Sequence, residues 1–246
     1  MLIGFDSPLR RLPMALESKQ ALFLEGIRIC LEMIDLAHFR LQTTLQEVAE
    51  FAETIFPNSQ LALTAALIDA WSIIDSIHRL RGLIQHLPNF RHRNQNPAIH
   101  NFMKDSEVVV GFRNTVQHLD ATIRKSDFGP DWSVWGSLAW CVPSSTTDEV
   151  RSCMYASGRM KPGSRQLINP AGKTILLPVG VITLSQDTAS ICVSDLVVSV
   201  QKLAGEIQEI CAVSFGSDPR LKETYGSDCV VRLDMAPAKS GETHAE

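Results

Sequence analysis

An arginine and a histidine five positions apart, Arg113 and His118, with Asn114 and Gln117 between them, form the constellation in this 246-residue chain whose chemistry is easiest to name. A guanidinium stays charged and offers a planar fork to phosphate oxygens. An imidazole titrates near neutral pH and can take or give a proton. Metal-free cleavage of RNA needs both. A base removes the 2′-hydroxyl proton, an acid protonates the leaving 5′-oxygen, and a cation stabilises the charge building on phosphorus. Products of that reaction carry 2′,3′-cyclic phosphate and 5′-hydroxyl ends.

The pair sits in Val108 to Lys125, which reads as the later part of a helix over Pro97 to Lys125. Val109, Phe112, Val116, Leu119 and Ile123 fall on one stripe, and Arg113, Asn114, Gln117 and His118 fall opposite it. On an ideal helix of about 100° per residue, Arg113 and His118 lie about 140° apart and flank a patch, so a phosphate would sit over Asn114 and Gln117. The plain alternative is a solvated polar face. Asp75, in IIDSIHRLRGLI, lies one turn before Arg79 and off the Ile73/Ile77/Leu80 seam. It is placed either to orient Arg113 or His118, or to make a weak intrahelical ion pair; Asp69 is the second candidate. From Ser76 to Lys104 there is no acidic residue, while Arg79, Arg81, Arg91, Arg93 and Lys104 stand among His78, His86, His92 and His100. An RNA backbone is attracted to such a block, with affinity falling steeply in salt, although arginine-rich loops also serve solubility alone.

Arg-Asn-Thr-Val-Gln-His on a late amphipathic helix resembles the signature of the HEPN domains (higher eukaryotes and prokaryotes nucleotide-binding). There an Arg-x4-6-His motif, often with Asn, Asp or His after the Arg, sits in a four- or five-helix bundle. The resemblance covers the helical part, about 15–125 plus the last helix, and leaves out a strand-rich segment. It implies a metal-independent endoribonuclease of toxin, phage-defence or RNA-processing type, with an antitoxin or regulatory protein as a further partner. It also implies an acidic or polar residue on an earlier helix near the motif, for which Asp75 is the match. One motif supplies one histidine. A two-fold homodimer setting two such faces together supplies a second proton-transfer group, and the family resemblance implies the same arrangement.

The elements that must position these groups follow from periodicity. Leu24, Ile27, Leu31, Ile34, Leu41, Leu45 and Val48 predict a helix over about Ala15–Thr54, ended by a Phe56-Pro57-Asn58-Ser59 break. A second helix is expected over Gln60–Leu87, and a third begins after the Asn96-Pro97 cap. From about 130 to 193 the composition turns to Ser, Thr, Trp, Val and Gly. Trp132–Val142, Glu149–Ser157, Thr174–Ser185 and Thr188–Val193 read as strands. Between them stand the PSSTTD, Lys-Pro-Gly and Asn-Pro-Ala-Gly turns and a tight Gln186-Asp187 hairpin. A fourth helix is expected over Ser194–Val213. The fold class is therefore mainly α: an antiparallel four-helix bundle with a small antiparallel β insertion before the last long helix. Residues 1–215 form one domain and 216–246 an extended or disordered tail.

Composition bounds the rest. With 45% hydrophobic and 20% charged residues the chain can bury a real core, and a net charge of −4 argues against a generally basic nucleic-acid binder. Six scattered cysteines without a CxxC pair suit a reducing cytosol and give no zinc site. His86, His92 and His100 lack ligand spacing, and no cofactor motif of GxGxxG, Walker A or GxSxG type is present. No run of 18 apolar residues is free of charge and the first residues lack an apolar signal region, so neither membrane attachment nor export is expected. Trp132, Trp135, Trp140 and Tyr155 can stack bases or anchor a core. The alternative to a nuclease is a non-catalytic helical module whose Arg/His face serves dimer or nucleotide contacts only.

Overall fold

The computed structural model describes residues 1–51, 59–88, 96–125, 133–143, 150–158, 179–186, 189–226 and 228–232. Several expectations fall outside them: the end of the first helix at Thr54, the Phe56-Pro57-Asn58 break, Arg91, His92 and Arg93, and Trp132. So do the PSSTTD turn after Pro143, the Lys-Pro-Gly and Asn-Pro-Ala-Gly turns, residues 174–178 of an expected strand, Asp187 of the hairpin, and 233–246.

Two long helices supply a large share of the core. Helix α1 (Ser18–Phe51) buries Leu24, Ile27, Leu31, Ile34, Leu41 and Leu45, and α2 (Ser59–His86) buries Ile73, Ile77, Leu80 and Ile84. Gly26 faces Leu83 while Arg40 pairs with Asp69 at 2.9 Å, so the two run antiparallel. By length and composition Gln60–His86 is apolar enough to cross a membrane, with mean hydropathy 1.3. Asp69 and Asp75 interrupt that stretch, and its Ile73/Ile77/Leu80 stripe is buried in the protein's own core.

The expected single helix over 97–125 is three helices: α3 (Pro97–Asp105), α4 (Val108–Gln117) and α5 (Leu119–Lys125). Asn96 caps α3 by accepting from the Ala98 and Ile99 amides at 3.0 and 3.2 Å. The first break is held by a tertiary contact. Ser106 donates its hydroxyl to the Phe102 carbonyl and accepts from Arg81 of α2 at 2.6 Å; Arg81 also donates to the Met103 carbonyl. The second break is His118, whose φ −108°, ψ 31° leaves the helical region. Accordingly Val109 and Phe112 are buried, Val116 and Leu119 are half-buried, and Ile123 is exposed.

Strands β1 (Ser137–Pro143), β2 (Val150–Ala156), β3 (Ile182–Gln186) and β4 (Ala189–Cys192) form one antiparallel sheet in the order β2-β1-β3-β4. Alternation sets its buried face, with Leu138 opposite Leu184 and Leu184 opposite Ile191. Trp140 is buried and its indole donates to the Leu45 carbonyl at 3.0 Å, fastening the sheet to α1. Gly136 enters β1 at φ +79°, where a Cβ would collide with the Ser185 carbonyl oxygen. Helix α6 (Val193–Ser217) follows β4 directly and packs on α3, with Asn96 donating to Glu206 at 2.5 Å and Ser199 to Asp105 at 2.9 Å.

The tail after Gly216 differs from a free extension. Pro219–Leu221 makes a 3-10 turn, and Thr224 bridges Pro13. The Met14 amide donates to the Glu223 carbonyl at 2.7 Å and the Tyr225 amide to the Leu12 carbonyl at 2.9 Å.

Candidate active-site face

Helix α4 reaches the site because its apolar side is clamped to α2. Val109 and Phe112 are buried, and the Phe112 ring lies 6.2 Å from Trp71, tilted by 40°. The clamp turns Arg113 toward α2, where its Nε donates to Asp75 Oδ1 at 2.9 Å. Arg79 takes the other oxygen, Nε to Oδ2 at 2.7 Å. Arg113 NH1 also donates to Gln117 Oε1 at 2.8 Å. One carboxylate thus fixes two guanidiniums from different helices, and Asp75 makes both contacts weighed from the sequence.

Burial pushes the Asp75 carboxyl up, but the hydrogen bonds from Arg113 and Arg79 outweigh it and hold it below the usual carboxylate range. His78 is drawn into the same field. Burial lowers its imidazole, and the nearby charge of Arg113 lowers it further against the opposing pull of Asp75. The shift favours the neutral imidazole, set beside the Arg113 guanidinium. The sequence placed His78 only within a basic block. The missing signal is the α2–α4 contact, which spacing along one helix does not reveal.

The other site residues are dispersed around this centre. His118 caps α4 rather than lying on a continuous helix, so the ideal 140° separation from Arg113 does not apply. It is exposed, and its amide donates to the Asn114 carbonyl at 3.1 Å. Asn114 is exposed, and Gln117 is engaged with Arg113. Arg81 is committed to the Ser106 break. Asp69 is buried and pairs with Arg40, away from Arg113; burial raises its carboxyl despite that partner. Arg91 and Arg93 lie outside the described residues.

Asp75 also lines an apolar groove of about 560 Å³, with Met33, Leu67, Ile68, Trp71 and Trp135. Trp135 is 44% exposed there, and its carbonyl accepts from the Trp71 indole at 3.1 Å. Trp140, by contrast, is a core anchor. Among the described residues no cluster of three or more His, Cys, Asp or Glu is placed to hold a metal ion. Compared with family models, curated proteins and solved structures, the chain matches none.

Proposed function

We propose that the protein is a metal-independent endoribonuclease of HEPN type, built on a helical bundle with a β insertion and acting as a homodimer in the cytosol. The observation that carries this reading is Asp75 gripping Arg113 from a second helix. An arginine meant for transition-state charge must be held in place before substrate arrives, and a carboxylate on Nε leaves the terminal nitrogens toward the phosphate. NH1 now rests on the neutral amide of Gln117, a contact that a phosphate oxygen can replace at small cost.

His78 and His118 divide the proton transfers. The neutral His78 takes the 2′-hydroxyl proton, and the exposed His118 delivers a proton to the leaving 5′-oxygen. Asn114 positions the phosphate or the partner's motif, and Arg79 extends the cationic track along the RNA backbone. The dimer covers the groove at Met33, Ile68 and Trp135, apolar groups exposed next to the site. A toxin or phage-defence role would require a partner protein that silences the face.

The alternative, an interaction module, draws on one observation: Arg113, Gln117 and Asp75 already satisfy one another within a protomer. The two readings part in a single assay. RNA incubated with the protein in excess EDTA should be cut to 2′,3′-cyclic ends, and His118→Ala or Arg113→Ala should slow cutting by about 100-fold or more while leaving the helical spectrum intact. Absence of cutting by a folded dimer on structured and unstructured RNA would hand the site to the interaction reading.

A further inference from the structure

A second pair of guanidiniums lies between α1, the N-terminal segment and the tail. Arg28 on α1 is only 4% exposed, yet carries a full charge. One counterion, Glu32, stands a turn along the same helix at 3.2 Å. The other comes from the opposite end of the chain: Asp228 accepts from Arg28 NH2 at 2.8 Å and NH1 at 3.2 Å. Arg10 stands beside them, at 2.5 Å from Glu32 and 3.4 Å from Asp228.

Three features set this cluster apart from an ordinary internal ion pair. Asp228 holds φ +42°, a left-handed conformation that non-glycine residues seldom adopt. The Nε of Arg10 is buried without an acceptor, a condition native proteins rarely tolerate. A cavity of about 690 Å³ opens against both arginines, walled by Leu12, Leu22 and Tyr225.

We propose that Arg10 and Arg28 form a binding site for a phosphate-bearing ligand, and that Asp228 is the chain's own stand-in for its anion. A carboxylate across NH1 and NH2 of Arg28 reproduces two phosphate oxygens. A phosphate brings a third oxygen, which gives the orphaned Arg10 Nε an acceptor, while the ligand's body occupies the cavity beside Tyr225. Ligand and tail compete for one fork, so each weakens the other by the same factor. Filling the site frees the strap that otherwise rests on the Met14 and Tyr225 amide hydrogen bonds. No step of this depends on cleavage at Arg113.

The test is titration of the full chain with pyrophosphate, followed by calorimetry and by hydrogen exchange at the Met14 and Tyr225 amides, with sulfate at matched ionic strength as the control. Saturable binding with faster exchange at both amides is expected, and sulfate should not reproduce it. Asp228→Asn should tighten pyrophosphate binding at least about fivefold by removing the competing charge. Arg10→Gln, which leaves the deeply buried Arg28 in place, should abolish binding in a chain whose circular dichroism is unchanged. Equal affinity in wild type and both variants, no saturable binding to wild type or Asp228→Asn, or equal release by sulfate would each overturn the proposal.

Discussion

At the scale of single residues, Asp75 decides how the site is set. It shares its oxygens between Arg79 and Arg113, and its carboxyl is about one-third exposed. Asp75→Asn preserves shape while removing the charge that holds both cations. The expected stability loss is small, about 1 kcal/mol, because solvent screens the pair, whereas the proposed nuclease reading predicts a much larger fall in RNA cleavage. Since its carboxyl titrates lower folded than unfolded, the stabilisation is present above the ordinary carboxylate pKa and disappears as pH falls through the depressed value. Urea midpoints of wild type and Asp75→Asn should therefore converge only in strongly acidic solution. Two half-buried imidazoles act nearer neutral pH. Burial lowers both His38 and His78 from the ordinary 6.5. Below that value the unfolded chain binds more protons than the folded one, so stability should decline as pH drops from neutral toward the folded pKa values. Urea titrations between pH 8 and 5 should show the slope, and His78→Gln should flatten part of it.

Elements differ in how plainly they were written. The periodicity of α1, α2 and α6 could be read directly because their buried stripes repeat over several turns, and tertiary packing used the same stripes. The strands β1 and β2 were legible from the shift to Ser, Thr, Trp and Val and from the turn signals between them, and they occupy Ser137–Pro143 and Val150–Ala156. The division of 97–125 was not, since Ser106 looks like an ordinary helical position until Arg81, 25 residues earlier, reaches it. For the same reason Arg81, expected in the RNA-attracting basic block, could not be seen from the sequence to bracket the Ser106 break. Its replacement by Met should cost about 1–3 kcal/mol by leaving the Ser106 hydroxyl and Met103 carbonyl without their donor, measured by urea unfolding. Helices of 10 and 7 residues are too short to persist alone, as isolated helices under about 12–15 residues are marginal. The site segment therefore depends on Val109 and Phe112 for its shape. Gly136 is the equivalent point in the sheet: Gly136→Ala should lower stability by about 1–3 kcal/mol through forced left-handed backbone and the clash with Ser185.

At the scale of the whole molecule, the N-terminal segment is tied to residues 223–228. Pairing of Leu12–Met14 with Glu223–Tyr225 could not be anticipated, because neither segment has a hydrophobic period that announces it. Removing residues 218–246 should lower the thermal midpoint and expose Arg28, while the helical signal of α1 and α2 in circular dichroism is retained. The consequence reaches into synthesis. Arg28 and Asp228 are separated by 200 positions, and contacts of such span form late because a long loop must close first. Until residue 228 has been made, Glu32 is the one of these two carboxylates that Arg28 can reach, so the guanidinium gains its second counterion only after the sheet and α6.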